Sequence, residues 1–230
     1  MDLSTIRDSA RSKADEEATG FIDNTELDRF INQGLVYMYN YLVQQYQDHF
    51  IVPGTVGNGG LISAVSGQQE YSLPSTLLKL VKIERRNANE TNDNNWRKLP
   101  RLNIGNDQIN DFYPVREGRD QGYGYFIAGT KFYLRPVPES AFDMRLWFIP
   151  RVTALVLTTD VPELPEEYHE LISEYACMQI LRKSGEGIYK ESLDLFNGEL
   201  KMMIDSSIHR SFEPEQMTIT DDQDFDQWSQ

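Results

Sequence analysis

Two amphipathic helical blocks far apart in the chain constrain its fold most. The first opens at Phe21-Ile22-Asp23-Asn24-Thr25-Glu26-Leu27 and carries apolar residues at Leu27, Phe30, Ile31, Gly34, Leu35, Met38, Tyr41 and Leu42. That spacing makes one buried stripe at 3.6-residue period. The second opens at Leu164-Pro165-Glu166-Glu167-Tyr168-His169 and reads as a helical hairpin. Tyr168, Leu171, Ile172 and Tyr175 face inward on its first arm, and Leu193, Phe196, Leu200, Met203 and Ile204 on its second, with Gly185-Glu186-Gly187 between. Residues 51–161, between the blocks, have the short alternating runs and turn residues of strands. A helical layer split by a β insertion is the simplest arrangement that buries all three.

Local signals place the elements. Residues 3–17 read as a first helix with Leu3, Ile6 and Ala10 on one face, broken by Thr19-Gly20. Asp23 or Asn24 caps the next helix, and Glu26 stands where a carboxylate reaches back to free N–H groups. Pro165 suits a first helical position, with Glu166 and Glu167 in the first turn favoured by the helix dipole. In the middle, strands are expected at 61–65, 70–73, 77–85, 123–127, 132–135 and 144–149, with Ala128-Gly129-Thr130-Lys131 as a hairpin turn. Residues 87–95 read as an exposed polar loop. So few short strands need a partner layer, so a small antiparallel barrel or sandwich is expected. The fold class is therefore α+β. Residues 1–50 and 162–212 make a helical bundle core, 51–161 an inserted β domain, and 213–230 an acidic extended tail.

Charge divides the same way. The net charge is −14. Residues 1–50 carry 4 bases and 9 acids, 51–161 carry 13 and 11, 162–212 carry 5 and 10, and 213–230 carry 6 acids and no base. Acidic helices repel a phosphate backbone, which argues against DNA wrapping. An acidic solvated surface explains the imbalance most simply. The sharper reading is head-to-tail docking of one copy's acidic part on another copy's β domain. The tail has few aliphatic residues but carries Phe225 and Trp228, with Phe212 just before it, a composition suited to ordering on a partner. On the first long helix Val36, Tyr37, Tyr39, Val43 and Tyr46 lie off the buried stripe. Either the insertion covers them or they form an interface, where aromatics are enriched. The candidate subunit or partner interface is thus Tyr37, Tyr39, Tyr46, Phe212, Phe225 and Trp228.

Catalytic chemistry finds little footing. His49, His169 and His209 are scattered without metal-ligand spacing and read as surface or capping residues. Cys177 is the single cysteine and lies in an apolar helix, where a buried structural thiol is expected. No Gly-x-Ser-x-Gly, Walker loop or GxGxxG occurs. Asp160, Glu163, Glu166 and Glu167 could supply the two carboxylates of a glycosidase, but acids at a helix start have a dipole reason to be there. Arg85, Arg86, Arg97, Lys98 and Arg101 with Trp96 form a basic-aromatic group that loop charges at the rim of the β domain account for. No run of about 18 apolar residues exists, so no membrane span is expected. No basic-then-apolar leader opens the chain. Asn89-Glu90-Thr91 matches a glycosylation acceptor that lacks such a leader for support. No catalytic, metal or cofactor residue is assigned.

The order of several short motifs resembles the head-to-tail adaptor (connector) proteins of tailed bacteriophages. That family opens an early helix with Phe-Ser/Thr-Asp-x-Glu-Leu-x-x-x-Ile/Leu-Asn, matched by Phe21 to Asn32. A Tyr-x-Leu-Pro step is similar to Tyr71-Ser72-Leu73-Pro74, and a strand ending in Arg/Pro-Pro-x-Pro to Tyr133-Leu134-Arg135-Pro136-Val137-Pro138. A Leu-Pro-Glu-x-Tyr-His helix start matches Leu164 to His169. The resemblance covers most of residues 1–210; the acidic segment after Phe212 goes beyond it. It implies a non-enzymatic virion protein at the head–tail junction, made in the host cytoplasm. It further implies a ring of about twelve copies beneath the portal. Such a ring extends the DNA channel, lets genomic DNA pass without specific binding, and receives tail or nozzle proteins. It implies no membrane partner. A monomeric protein- or ligand-binding module, or a carboxylate-dependent cell-wall hydrolase, is the alternative.

Overall fold

The computed structural model describes residues 1–16, 21–88, 90, 92, 95–103, 123–185 and 189–208. The chain divides into two compact units, Met1–Leu35 with Leu155–Gln230, and Val36–Ala154. The division falls within one continuous helix.

The first unit is helical. Helix α1 (Leu3–Lys13) starts where the Asp2 carboxylate accepts from the Thr5 N–H at 2.8 Å. It buries Leu3, Ile6 and Ala10 and ends four residues before the expected Glu17. Helix α2 (Asn24–Gln45) is capped by Asp23, whose carboxylate accepts from the Glu26 N–H at 2.7 Å. The expected reciprocal cap is only half made, because the Glu26 carboxylate accepts from Lys183 at 2.6 Å. Buried Arg11 ties α1 to the start of α2 by donating to the Ile22 carbonyl at 2.8 Å and to Asn24 Oδ1 at 3.1 Å. Arg7 adds a two-point pair with Asp28 at 2.5 and 2.6 Å.

Helix α3 (His169–Ser184) packs on α1 and on α4 (Tyr189–Ile208). Pro165 does not open α3. A 3-10 turn, Glu166–Tyr168, intervenes, so Glu166 and Glu167 precede the α-helix. Gly185 ends α3 at φ 76°, a left-handed conformation that glycine adopts without steric cost. Leu171, Ile172, Ala176 and Ile180 of α3 are buried, as are Phe196 and Leu200 of α4. The Tyr175 ring meets Phe196 edge-on, with centroids 5.9 Å apart.

The second unit holds the strands. β1 (Val52–Pro53), β2 (Leu61–Ala64), β4 (Leu77–Asn87), β5 (Arg97–Leu99) and β8 (Phe142–Pro150) form one antiparallel sheet ordered β1-β8-β4-β5, with β2 also on β8. β3 (Glu70–Ser72), β6 (Gly124–Ala128) and β7 (Lys131–Arg135) form a second, ordered β3-β7-β6. Alternation on β8 sends Phe142, Met144, Leu146 and Phe148 inward to one cluster with Ile83, Leu99, Tyr71, Phe132 and Leu134, residues of both sheets. A parallel bridge at Arg101 and Tyr125 links the sheets on one side. On the other, β2 and β3 are joined by a turn with no ladder between them. The fold is thus α+β with antiparallel sheets, and among the described residues no closed barrel forms.

Candidate functional site

The motifs that carry the family resemblance turn out to hold the chain's own turns. Asn32 clamps Leu155, accepting from its N–H at 2.8 Å and donating to its carbonyl at 3.0 Å. Asp160 then accepts from the N–H groups of Val156 and Leu157, both at 2.8 Å, and those bonds hold its carboxyl below the usual range. The same loop accepts from α1, Leu3 N–H to Asp160 O at 2.9 Å and Ser4 N–H to Thr158 O at 3.1 Å. His169 is not at the surface: it is buried, with Nε2 2.9 Å from the Leu164 carbonyl. Tyr71 closes the β2–β3 turn, its hydroxyl accepting from Val65 N–H at 3.1 Å and donating to Gln68 O at 2.9 Å. The Pro138 carbonyl accepts from Gly67 N–H at 2.7 Å in that turn. These residues hold the scaffold's own turns.

Among the described residues, three exposed surfaces could meet a partner. On α2, Tyr37 is 43% exposed beside Val36, and Tyr46 is half-buried with its ring edge-on to His49. Tyr39 is not free for a partner. Its ring packs on Phe50 at 5.2 Å and its hydroxyl donates to Pro150 O at 2.8 Å, so the second unit itself uses it. Val43 is buried too. Phe212, Phe225 and Trp228 lie outside the described residues, as does His209. In the helical unit, Val156, Leu157 and Val161 of the return loop and Leu195 and Met202 of α4 are exposed apolar side chains.

The third surface is the outward face of the larger sheet. Register places Trp147 opposite Lys82, Arg145 opposite Glu84, Asp143 opposite Arg86, and Lys98 opposite Glu84 on its other side. Cations and rings alternate there. Lys82 Nζ lies 4.6 Å from the Trp147 ring centre, and Arg145 5.3 Å from it. Arg145 lies 4.3 Å from the Trp96 ring, and Arg86 stands 4.6 Å from the same ring. Beneath this ladder Glu84, 8% exposed, accepts from Lys82 at 2.6 Å, Arg145 at 3.0 Å and Trp147 Nε1 at 2.6 Å. Burial alone would raise the Glu84 carboxyl; the three donors outweigh it and hold the carboxyl below its ordinary value.

Arg97 and Lys98, expected in a loop, are strand residues of β5, and Trp96 immediately precedes them. The ladder escaped the sequence because Lys82 and Glu84 sit in one strand and Arg145 and Trp147 in another about sixty residues on. The alternation Asp143, Arg145, Trp147 opposite the core-facing residues of β8 is the signal that could have found it.

The four acids ahead of α3 differ in their surroundings. Asp160 is spent on its loop, and Glu163, Glu166 and Glu167 are exposed. Cys177 is buried in α3, and that burial pushes its thiol up to about 11, far from a nucleophile's range. Among the described residues no His/Cys/Asp/Glu group is arranged to hold a metal ion. No helix among them is long and apolar enough to cross a membrane.

The family model described as SU10 adaptor protein matches residues 1–218, a span that takes in both units. No curated protein matches the chain.

Proposed function

The chain belongs to the SU10 adaptor protein family, and from that membership we propose that it is a virion structural protein forming the head-to-tail adaptor ring of a tailed phage. About twelve copies, arranged with cyclic symmetry, dock beneath the portal, extend its DNA channel and offer tail or nozzle proteins a platform. The helical parts, 1–50 and 162–212, contact sibling copies and the portal, and the β part, 51–161, projects toward the tail. Genomic DNA passes without specific binding, consistent with acidic helices beside it. The chain is made in the host cytoplasm and ends in the virion.

The observation that carries this reading is the extent of the family match. It spans 218 residues and so takes in helices and sheets alike, whereas a shared module would match one unit only. The exposed apolar residues on α2, the return loop and α4 support it as surfaces to be covered by other chains.

Mass photometry tests the proposal on the full chain, alone and mixed with the portal ring of the same phage. A mass step of about a dozen copies on the portal is the expected result. No binding at any ratio would sink the adaptor reading and leave the family's fold without its role.

A further inference from the structure

We propose that the cation–aromatic ladder on the outward face of the larger sheet is a docking site for residues 213–230 of a neighbouring copy. The neighbouring-copy part rests on the adaptor reading, which brings copies side by side.

The ladder is built rather than incidental. Five side chains alternate in the order Lys82, Trp147, Arg145, Trp96, Arg86, with centre distances of 4.3 to 5.3 Å. Glu84 fixes its middle from below through bonds to both Arg145 and Lys82. Arg86 is held in turn by Asp143 at 3.3 Å. A ladder preset in this way loses little side-chain entropy when a ligand arrives. Among the described residues, register places the cations Lys82, Arg86, Lys98 and Arg145 and the acids Glu84 and Asp143 on this face, a local surplus of cations in a molecule of net charge −14.

Residues 213–230 are the complement. They carry 6 acids and no base, four of those acids at Asp221, Asp222, Asp224 and Asp226, interleaved with Phe225 and followed by Trp228. Carboxylates can pair with exposed Lys98 and with the outward edges of the ladder's cations, while the two rings pack against its outer rim. Helix α4 ends at Ile208, and the residues beyond it span up to roughly 70 Å when extended.

A labelled peptide of residues 213–230 is titrated by fluorescence anisotropy onto the full chain carrying Asp221→Asn, Asp222→Asn, Asp224→Asn, Asp226→Asn, Phe225→Ala and Trp228→Ala, which weakens competition from its own tail. Saturable binding is expected, weakened at least tenfold by Trp96→Ala or by Lys98→Glu. Both positions are at the surface or partly so, and thermal melts verify that the variants fold. Equal binding to the ladder variants overturns the site. So does equal binding of a scrambled peptide, or preferential occupation of the same face by a short DNA duplex in competition.

The neighbouring-copy element is read separately. A chain with Ser229→Cys and a chain with Asn95→Cys are mixed above the peptide's Kd and joined with a short bis-maleimide, native Cys177 being buried. A covalent heterodimer is expected, and its absence refutes docking between copies. None of these arms uses the portal. A chain that fails on the portal yet binds its tail peptide here would remove the adaptor reading and leave the docking site standing.

Discussion

Glu84 concentrates the physics of the second unit in one side chain. It is 8% exposed and accepts from two cations and an indole, so removing its charge leaves Lys82 and Arg145 facing each other across a neutral amide. Glu84→Gln should lower stability by roughly 1–3 kcal/mol in urea unfolding at neutral pH, the range for losing charge-assisted bonds at a mostly buried group. Its pH signature follows from the sign of the shift. The folded carboxyl titrates below the ordinary value of 4.5, so its contribution is present above that value and is lost as pH falls through the depressed one. The wild type should therefore lose stability faster than the Gln variant below about pH 4.5; parallel curves would mean that the carboxylate contributes nothing net. Cys177 gives a second residue-scale expectation. A thiol buried in α3 and raised to about 11 should resist a thiol reagent at pH 8 in the native protein and react promptly in denaturant. Fast native labelling would mean that α3 is open in solution.

At the scale of elements, α2 and α3 touch where one of them has no side chain. A Cβ at Gly34 would stand 2.9 Å from Tyr175 Cδ1 and 3.1 Å from Tyr175 Cβ. Alanine gains about 1 kcal/mol in helix propensity, but overpacking costs roughly 1–3 kcal/mol, and the Tyr175 Cβ cannot rotate away. Gly34→Ala should therefore destabilise the protein by about 1 kcal/mol in thermal or urea melts, and Gly34→Leu by more. A stabilised alanine variant would show that the helices part freely.

The same contact marks the limit of what the sequence disclosed. Period-3.6 stripes announced the four helices among the described residues, and alternation with turn residues announced β2, β3, β4, β6, β7 and β8 within a few residues. β5 was hidden, because Arg97-Lys98-Leu99 has one apolar residue and earns its place by pairing with β4. That the two sheets stay open, with no closed barrel among the described residues, is decided by pairings between distant strands, which no local pattern encodes. Tyr39 looked like an interface residue because helical periodicity records one stripe. Its burial comes from Phe50 and Pro150, which a helical wheel does not contain. The surface ladder was legible only as a basic-aromatic group around Trp96, since its other half arrives with β8.

For the proposed ring the decisive quantity is the sum over copies rather than any one contact. Before docking, a single pair of chains should associate weakly, so the free protein should run as a monomer or a weak oligomer in mass photometry. On the proposed reading a portal ring would change that by holding many chains at high effective concentration, which turns weak contacts into a stable joint. Closed rings forming without any portal would contradict this templating. The tail then offers a graded test. Removing residues 213–230 takes away six acids, Phe225 and Trp228 and no described element, so the melting curve should not move. If the tail contributes even about 1 kcal/mol at each of about twelve joints, its loss summed around a ring becomes large, while the effect on one chain stays small. The truncated protein should therefore fold normally but need a much higher concentration to saturate the portal, and its half-saturation should shift further with added salt for wild type than for the truncation, because the acids responsible are gone. Saturation at the same concentration as wild type would take the tail out of the assembly altogether and leave the ring to its helical contacts.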